Sequence, residues 1–177
     1  MTGDPARPRT WALRMPLLRR RRVPPQVRAV PLPAGERRTA WAVTAAGEPV
    51  VATDRTLLLP GGHRLAWEQV ERASWRPPHL TVLEVADVEG AGAVHDLVLE
   101  DAGDLPAVVR TRVTGSVAWS THERLSPDGG VRVVGRRVPG EEVLRWQLVF
   151  DTGTDTGDPL VRAQAQALLE GARRSIG

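Results

Sequence analysis

From Thr39 onward the chain alternates short apolar runs with glycine and proline punctuation, the rhythm of strands joined by tight turns. "TAWAVTAAG", "PVVATD" and "TLLLP" are divided by Gly47-Glu48-Pro49 and closed by Pro60-Gly61-Gly62. "RLAWEQVERASWRP" and "HLTVLEVAD" flank Pro77-Pro78; in the second, Leu80 and Val82 with Leu83 and Val85 predict a strand buried on both faces or carrying a bulge. "AVHDLVLE" follows a turn at Gly90 and Gly92. About six or seven short strands in roughly 60 residues is the spacing of a small barrel or sandwich.

The period then changes. Leu105, Val108, Val109, Val113 and Val117 recur at helical spacing behind Asp104, a candidate N-cap, with Pro106 in the first turn where its absent N–H costs nothing. "SVAWSTHERL", "VRVVGRRVP" and "EVLRWQLVFD" predict three antiparallel strands with turns at Pro127-Asp128-Gly129-Gly130 and Pro139-Gly140. A closing helix is predicted from its cap at Asp158 and Pro159 at the first helical position, with Val161, Ala165, Leu168 and Ala172 as its inward stripe.

Residues 1–38 lack such a pattern. Seven prolines interrupt any helix or ladder there, and apolar surface is too sparse to offset ordering entropy, so a flexible tail is expected. Charge sharpens that division. All 24 basic residues are arginine, in a chain without lysine, asparagine or tyrosine, as a GC-rich genome would produce. Residues 1–38 nevertheless hold ten arginines against Asp4 and Glu36, whereas the remainder is mildly acidic. Trp11 with Arg19, Arg20, Arg21 and Arg22 forms a candidate contact for an anionic membrane surface or nucleic acid, worth about 4 kcal/mol at a membrane for the four arginines.

Several chemistries are excluded on physical grounds. The absence of cysteine removes disulfides, thiolate metal sites and a cysteine nucleophile. No apolar stretch approaches the roughly 18 residues of a membrane span, and the arginines follow the N-terminal apolar residues instead of preceding them, so no secretory signal is read and a cytoplasmic location is expected. "LVFDTGTDTGDP" presents Asp151 as an aspartic protease would, but too little chain follows to build that enzyme's flap; a strand end, an acidic turn and the cap at Asp158 account for it. Asp151, Asp155 and Asp158 fail the calcium-loop pattern, because the position that needs a bidentate glutamate is Arg162. His63, His79, His95 and His122 stand nowhere three or four residues apart, so no metal is expected. No nucleophile elbow, phosphate loop or dinucleotide fingerprint occurs. The expected protein has no catalytic residues and no cofactor. Trp41, Trp67, Trp75, Trp119 and Trp146 fall on predicted strands and are expected to pack; a nucleic-acid stacking platform is the alternative.

The stretch "VVATDRTLLLPGGHRLAWEQVERASWRPPHLTVLEV" resembles bacterial pleckstrin-homology-like (PH-like) domains, in which a strand ending in Thr-Asp-Arg leads to leucines, a basic hairpin and an apolar Trp-x-x-Val step. Thr53, Asp54, Arg55, Leu57 to Leu59, Arg64, Trp67 and Val70 carry the likeness, which spans residues 39–115 once the helix from Asp104 is included. The chain is also similar to actinobacterial proteins of comparable length. The resemblance implies a half-open seven-strand barrel plugged by one helix and used for binding. Phosphoinositide recognition is not carried over, since the early hairpin has no basic cluster beyond Arg55 and Arg64.

The resulting expectation is an α+β protein: a basic tail over 1–38, a PH-like small antiparallel β-barrel or sandwich with a packing helix over 39–115, and a three-stranded antiparallel extension with a C-terminal helix over 116–177. Its expected function is a non-catalytic interaction module for a protein partner, peripheral to the membrane through its tail. The alternatives are a nucleic-acid- or ribosome-associated protein using the arginines, and a small-molecule-binding enzyme.

Overall fold

The computed structural model describes residues 21–85 and 92–176. Seven antiparallel strands are β1 (Arg38–Thr44), β2 (Pro49–Thr53), β3 (Thr56–Leu58), β4 (Arg64–Ala66), β5 (Val70–Arg76), β6 (His79–Glu84) and β7 (Val94–Asp101), hydrogen-bonded in the order β4-β3-β2-β1-β7-β6-β5. The sheet is not closed into a barrel. The chain leaves β4 through a 3-10 turn at Trp67–Gln69 instead of a hairpin, and no ladder joins β4 to β5, which are left as the two ends of the sheet.

The sheet nonetheless wraps one core. Ala40, Val50, Leu57, Leu65, Val70, Leu80, Val82 and Leu99 pack together from all seven strands. Helix α2 (Leu105–Ser116) supplies Leu105, Val109 and Val113 to the same core. Its predicted cap is not made. Asp104 lies in the αR region and its side chain bonds no helix N–H; Pro106 instead occupies the first turn, removing one donor that would need a partner.

The second half of the expected tail is packed, not free. A short helix, α1 (Pro25–Ala29), buries Val27 completely against Val51 and Leu58, with Val23, Val30, Leu32 and Trp41 around them. This is the outer face of β1–β3, so those strands are covered on both sides, and Val50, Val51 and Ala52 are all fully buried. The same segment holds the Thr53-Asp54-Arg55 turn. The Thr53 hydroxyl donates to the Glu36 carboxylate and accepts the Arg55 and Thr56 N–H groups, while Asp54 accepts the Arg37 N–H at 2.7 Å. That backbone hydrogen bond from Arg37, with the nearby arginine charges, holds the Asp54 carboxyl below its ordinary range despite a small opposing cost of burial.

Strands β8 (Val117–Arg124), β9 (Gly130–Arg137) and β10 (Leu144–Phe150) form a second antiparallel sheet in the order β10-β9-β8. Helix α3 (Pro159–Ile176) begins as the sequence predicts, with the Asp158 carboxylate accepting the Leu160 N–H at 2.8 Å. It covers one face of this sheet, burying Val161, Ala165, Leu169 and Ala172 over Val131, Val133, Leu148 and Phe150. Trp119 and Trp146 meet edge-to-face beneath it at 5.5 Å. Of the predicted stripe, Leu168 is only half-buried and Leu169 takes the inward position. Among the described residues no helix is long and apolar enough to cross a membrane.

Candidate functional site: the cleft between the sheets

The face of β8–β10 turned away from α3 carries Arg132, Val134 and Arg136 on β9, with Gln147 and Val149 on β10. Period-2 alternation places these residues opposite those under the helix. Arg136, 3% exposed, is the clasp that fastens this face to the first sheet. Its Nε donates to Gln147 Oε1 at 3.1 Å, and Nη1 donates to Val113 O at 3.1 Å and Ser116 Oγ at 2.6 Å, at the end of α2. Nη2 donates to Glu71 O on β5 at 2.9 Å. Gln147 Nε2 completes the junction by donating to Glu68 O at 2.6 Å. Burial lowers the Arg136 pKa and the Glu71 charge pulls it back, leaving a guanidinium that stays charged.

Beside this clasp lies an open cleft of about 1220 Å³, walled by β5 and β6, by α2 and by β8–β10. Trp75, Leu83, Val134 and Val149 line it with apolar surface. Four arginines (Arg72, Arg110, Arg132 and Arg136) line it against two acids (Glu71 and Asp151). Arg72, Arg110 and Arg132 are exposed, so their charge faces whatever enters. The β5 wall is an end strand, hydrogen-bonded to β6 alone. Glu71, the extra residue at a register shift, turns its O to the free edge, where Arg136 reaches it from the extension. Pro78 O faces β7, so Arg72, Ser74 and Arg76 face β6 and the Ala73 and Trp75 backbone groups face the free edge.

Glu71 sits half-buried at the foot of the cleft. Burial pushes its carboxyl above the usual glutamate range, an effect that Arg72 and Arg136 reduce without cancelling. The folded chain therefore holds this proton more tightly than the unfolded chain does, and stability is lost as pH rises through the raised value. Glu71→Gln is expected to be more stable than the parent at pH 7. That advantage should fade as pH falls below the ordinary glutamate pKa of about 4.3, as urea midpoints measured across pH would show.

Of the residues singled out from sequence, Trp11, Arg19 and Arg20 lie outside the described residues. Arg22 is exposed. Arg21 is engaged within the protein. Its guanidinium lies 3.7 Å from the centre of the Trp41 ring, donates to Trp41 O at 3.0 Å, and pairs with Asp101, with Nε to Oδ2 at 2.8 Å. Of the tryptophans expected to pack, Trp67 is buried and Trp41, Trp75, Trp119 and Trp146 are half-buried.

Asp151 follows β10 and binds His122 across β9, Nε2 to Oδ2 at 2.8 Å. Gly130 lies beneath this pair, where a Cβ would run into the Asp151 carboxylate and the His122 ring. Among the described residues Asp151, Asp155 and Asp158 do not converge on a common point; His63, Glu84 and His95 do. Strand pairing and turns, not helical turns, bring those histidines together, so their spacing along the chain does not reveal it. Arg136 was legible only as one arginine alternating on a strand, and nothing local marks it as buried. No protein-family model, curated protein or solved structure matches the chain.

Proposed function

We propose that this protein is a non-catalytic interaction module on a PH-like scaffold, whose cleft takes an extended acidic segment of a protein partner. The observation that carries this reading is the free edge of β5 forming one wall of a broad, arginine-flanked apolar cleft. A strand edge offers main-chain hydrogen bonds to an incoming strand, and alternate side chains of that strand then face opposite walls. Apolar residues would meet Trp75, Val134 and Val149, while carboxylates would meet Arg72, Arg110 and Arg132. At about 1220 Å³ the cleft exceeds the usual 300–1,000 Å³ of small-molecule pockets, which favours a chain segment over a metabolite. Seven antiparallel strands followed by a helix packed into their core is the element order that the PH-like resemblance implies, and it supports the scaffold assignment. Attachment through the arginine run is the weaker reading, because Arg21 already serves Asp101 and Trp41.

The test uses the full chain and a fluorescein-labelled peptide alternating glutamate with valine, read by polarisation. A second peptide carries lysine in place of glutamate. Saturable binding is expected for the acidic peptide alone, weakened at least about tenfold, or 1.4 kcal/mol, by Arg72→Glu or Arg110→Glu. Ala73→Pro removes an N–H from the free edge, a position where an end strand tolerates proline, and should weaken binding comparably. Equal binding of both peptides, or binding untouched by these three substitutions, would sink the proposal, as would no binding at all.

A further inference from the structure

A second feature lies on the first sheet, away from the cleft. His63 follows the 3-10 turn Pro60–Gly62 that joins β3 to β4. Glu84 ends β6, and His95 lies near the start of β7, where it opposes Val82. The turn reverses tightly enough for Leu59 N to bond His63 O at 2.9 Å, helped by Gly61 and Gly62, both at positive φ. This brings His63 across to the β6–β7 hairpin, although β4 and β6 are far apart in the hydrogen-bonding order. Both imidazoles present Nε2 to one oxygen: His63 Nε2 is 2.8 Å and His95 Nε2 is 2.5 Å from Glu84 Oε1. The rings themselves lie 5.1 Å apart, and the three ligand atoms fall within 4.8 Å of one another.

We infer that His63, Glu84 and His95 form a binding site for a late first-row divalent cation, of which Zn²⁺ is the reference case. Two imidazole nitrogens and one carboxylate oxygen, with no thiolate, suit zinc and its neighbours, whereas calcium and magnesium prefer oxygen cages. The ligand atoms already converge, so an ion can sit among all three. Three protein ligands leave a fourth position for water, the arrangement of open zinc sites. The ion has a path in, because the His63 side chain is 49% exposed, His95 25% and Glu84 21%. Once bound, it ties the β3–β4 turn to the β6–β7 hairpin, bridging parts of an open sheet that no ladder joins. The site shares no residue with the cleft lining and stands independently of the proposed peptide function.

The test is titration of the chelator-stripped full chain with Zn²⁺ alone, by calorimetry and by thermal melting. One ion per chain is expected, with the melting midpoint rising with free zinc, since a ligand held by the folded state stabilises it by mass action. His63→Ala and His95→Ala should each weaken binding at least about tenfold, the lower end of what losing even a supporting partner of a metal site costs. His63 is exposed enough for its variant to fold normally. His79→Ala and His122→Ala, which remove histidines paired with Asp96 and Asp151, should bind zinc as the parent does. Mg²⁺ and Ca²⁺ should leave the melting midpoint unmoved. The inference is overturned if zinc does not bind at one equivalent, or if binding survives loss of His63 and His95. Equal sensitivity to His79→Ala or His122→Ala would overturn it as well.

Discussion

Arg136→Ala is expected to lower the unfolding free energy by about 3–5 kcal/mol, among the largest effects of any single substitution here. The arginine is 3% exposed and satisfies four acceptors at once, two of them main-chain carbonyls on different elements. Truncation removes the donor of the buried Ser116 Oγ and Gln147 Oε1 and of the partly buried Glu71 O, at about 1–3 kcal/mol for each acceptor that water cannot reach, while Val113 O keeps its bond from the Ser116 hydroxyl. A methylene stem packed at the junction is lost as well. In a chain of 177 residues such a loss shifts the melting midpoint by on the order of 10 °C. Arg136→Lys should recover only a minor part, since an ammonium has no planar fork to span Gln147, Val113 and Glu71 together. Urea denaturation monitored by tryptophan fluorescence measures both variants, and a loss below about 1 kcal/mol would show that the two sheets hold together without the clasp. Because the cleft lies between those sheets, affinity for the acidic peptide should fall with docking.

Trp67→Ala is expected to cost a similar amount, about 3–5 kcal/mol. Trp67 opens the 3-10 turn between β4 and β5, is 3% exposed, and packs in the main core. Its indole Nε1 donates to Thr53 O at 3.2 Å, and its backbone N–H donates to Arg55 O. The ring therefore ties the turn after β2 to the irregular step where the sheet fails to close. Trp67→Phe keeps most of the apolar volume and loses the Thr53 bond, so it should cost closer to about 1 kcal/mol for the bond together with some repacking. Comparing urea midpoints of the two variants separates packing from hydrogen bonding. Near-equal losses would mean that the bond to Thr53, not the volume, carries the effect.

The strands and both longer helices were legible because their cause is local. Period-2 alternation, glycine turns and the Asp158-Pro159 start are each decided within a few residues. The Asp104 cap misled because proline in the first turn suits a helix start whether or not a side chain caps it. A stronger signal lies in and just after β2 and β3. Val50, Val51 and Ala52, then Leu57, Leu58 and Leu59, are unbroken apolar runs, and a strand of that kind needs cover on both faces. One cover is the core. The other is α1 with Val23, Val30 and Leu32, inside the segment whose prolines and arginines suggested a tail. Composition averaged over residues 1–38 hid one valine, Val27, on which that outer layer centres.

The candidate sites were far less legible. Cleft residues come from β5, β6, α2 and the second sheet, and the arginines among them look alike in sequence. Arg136 is buried and holds four partners, while Arg132, on the same face of the same strand, is exposed to solvent. Likewise His63, Glu84 and His95 are 21 and 11 residues apart along the chain, separations at which no local geometry predicts contact.

What this chain determines through its sequence alone is its inventory of elements and the exclusion of thiol and disulfide chemistry, since backbone periodicity and residue type act over a few neighbours. Which end of the sheet stays open, which arginine becomes a clasp and which histidines meet are decided by tertiary structure. Those outcomes depend on how the sheet curls and where the second sheet docks, and both are set by apolar burial summed over the whole chain.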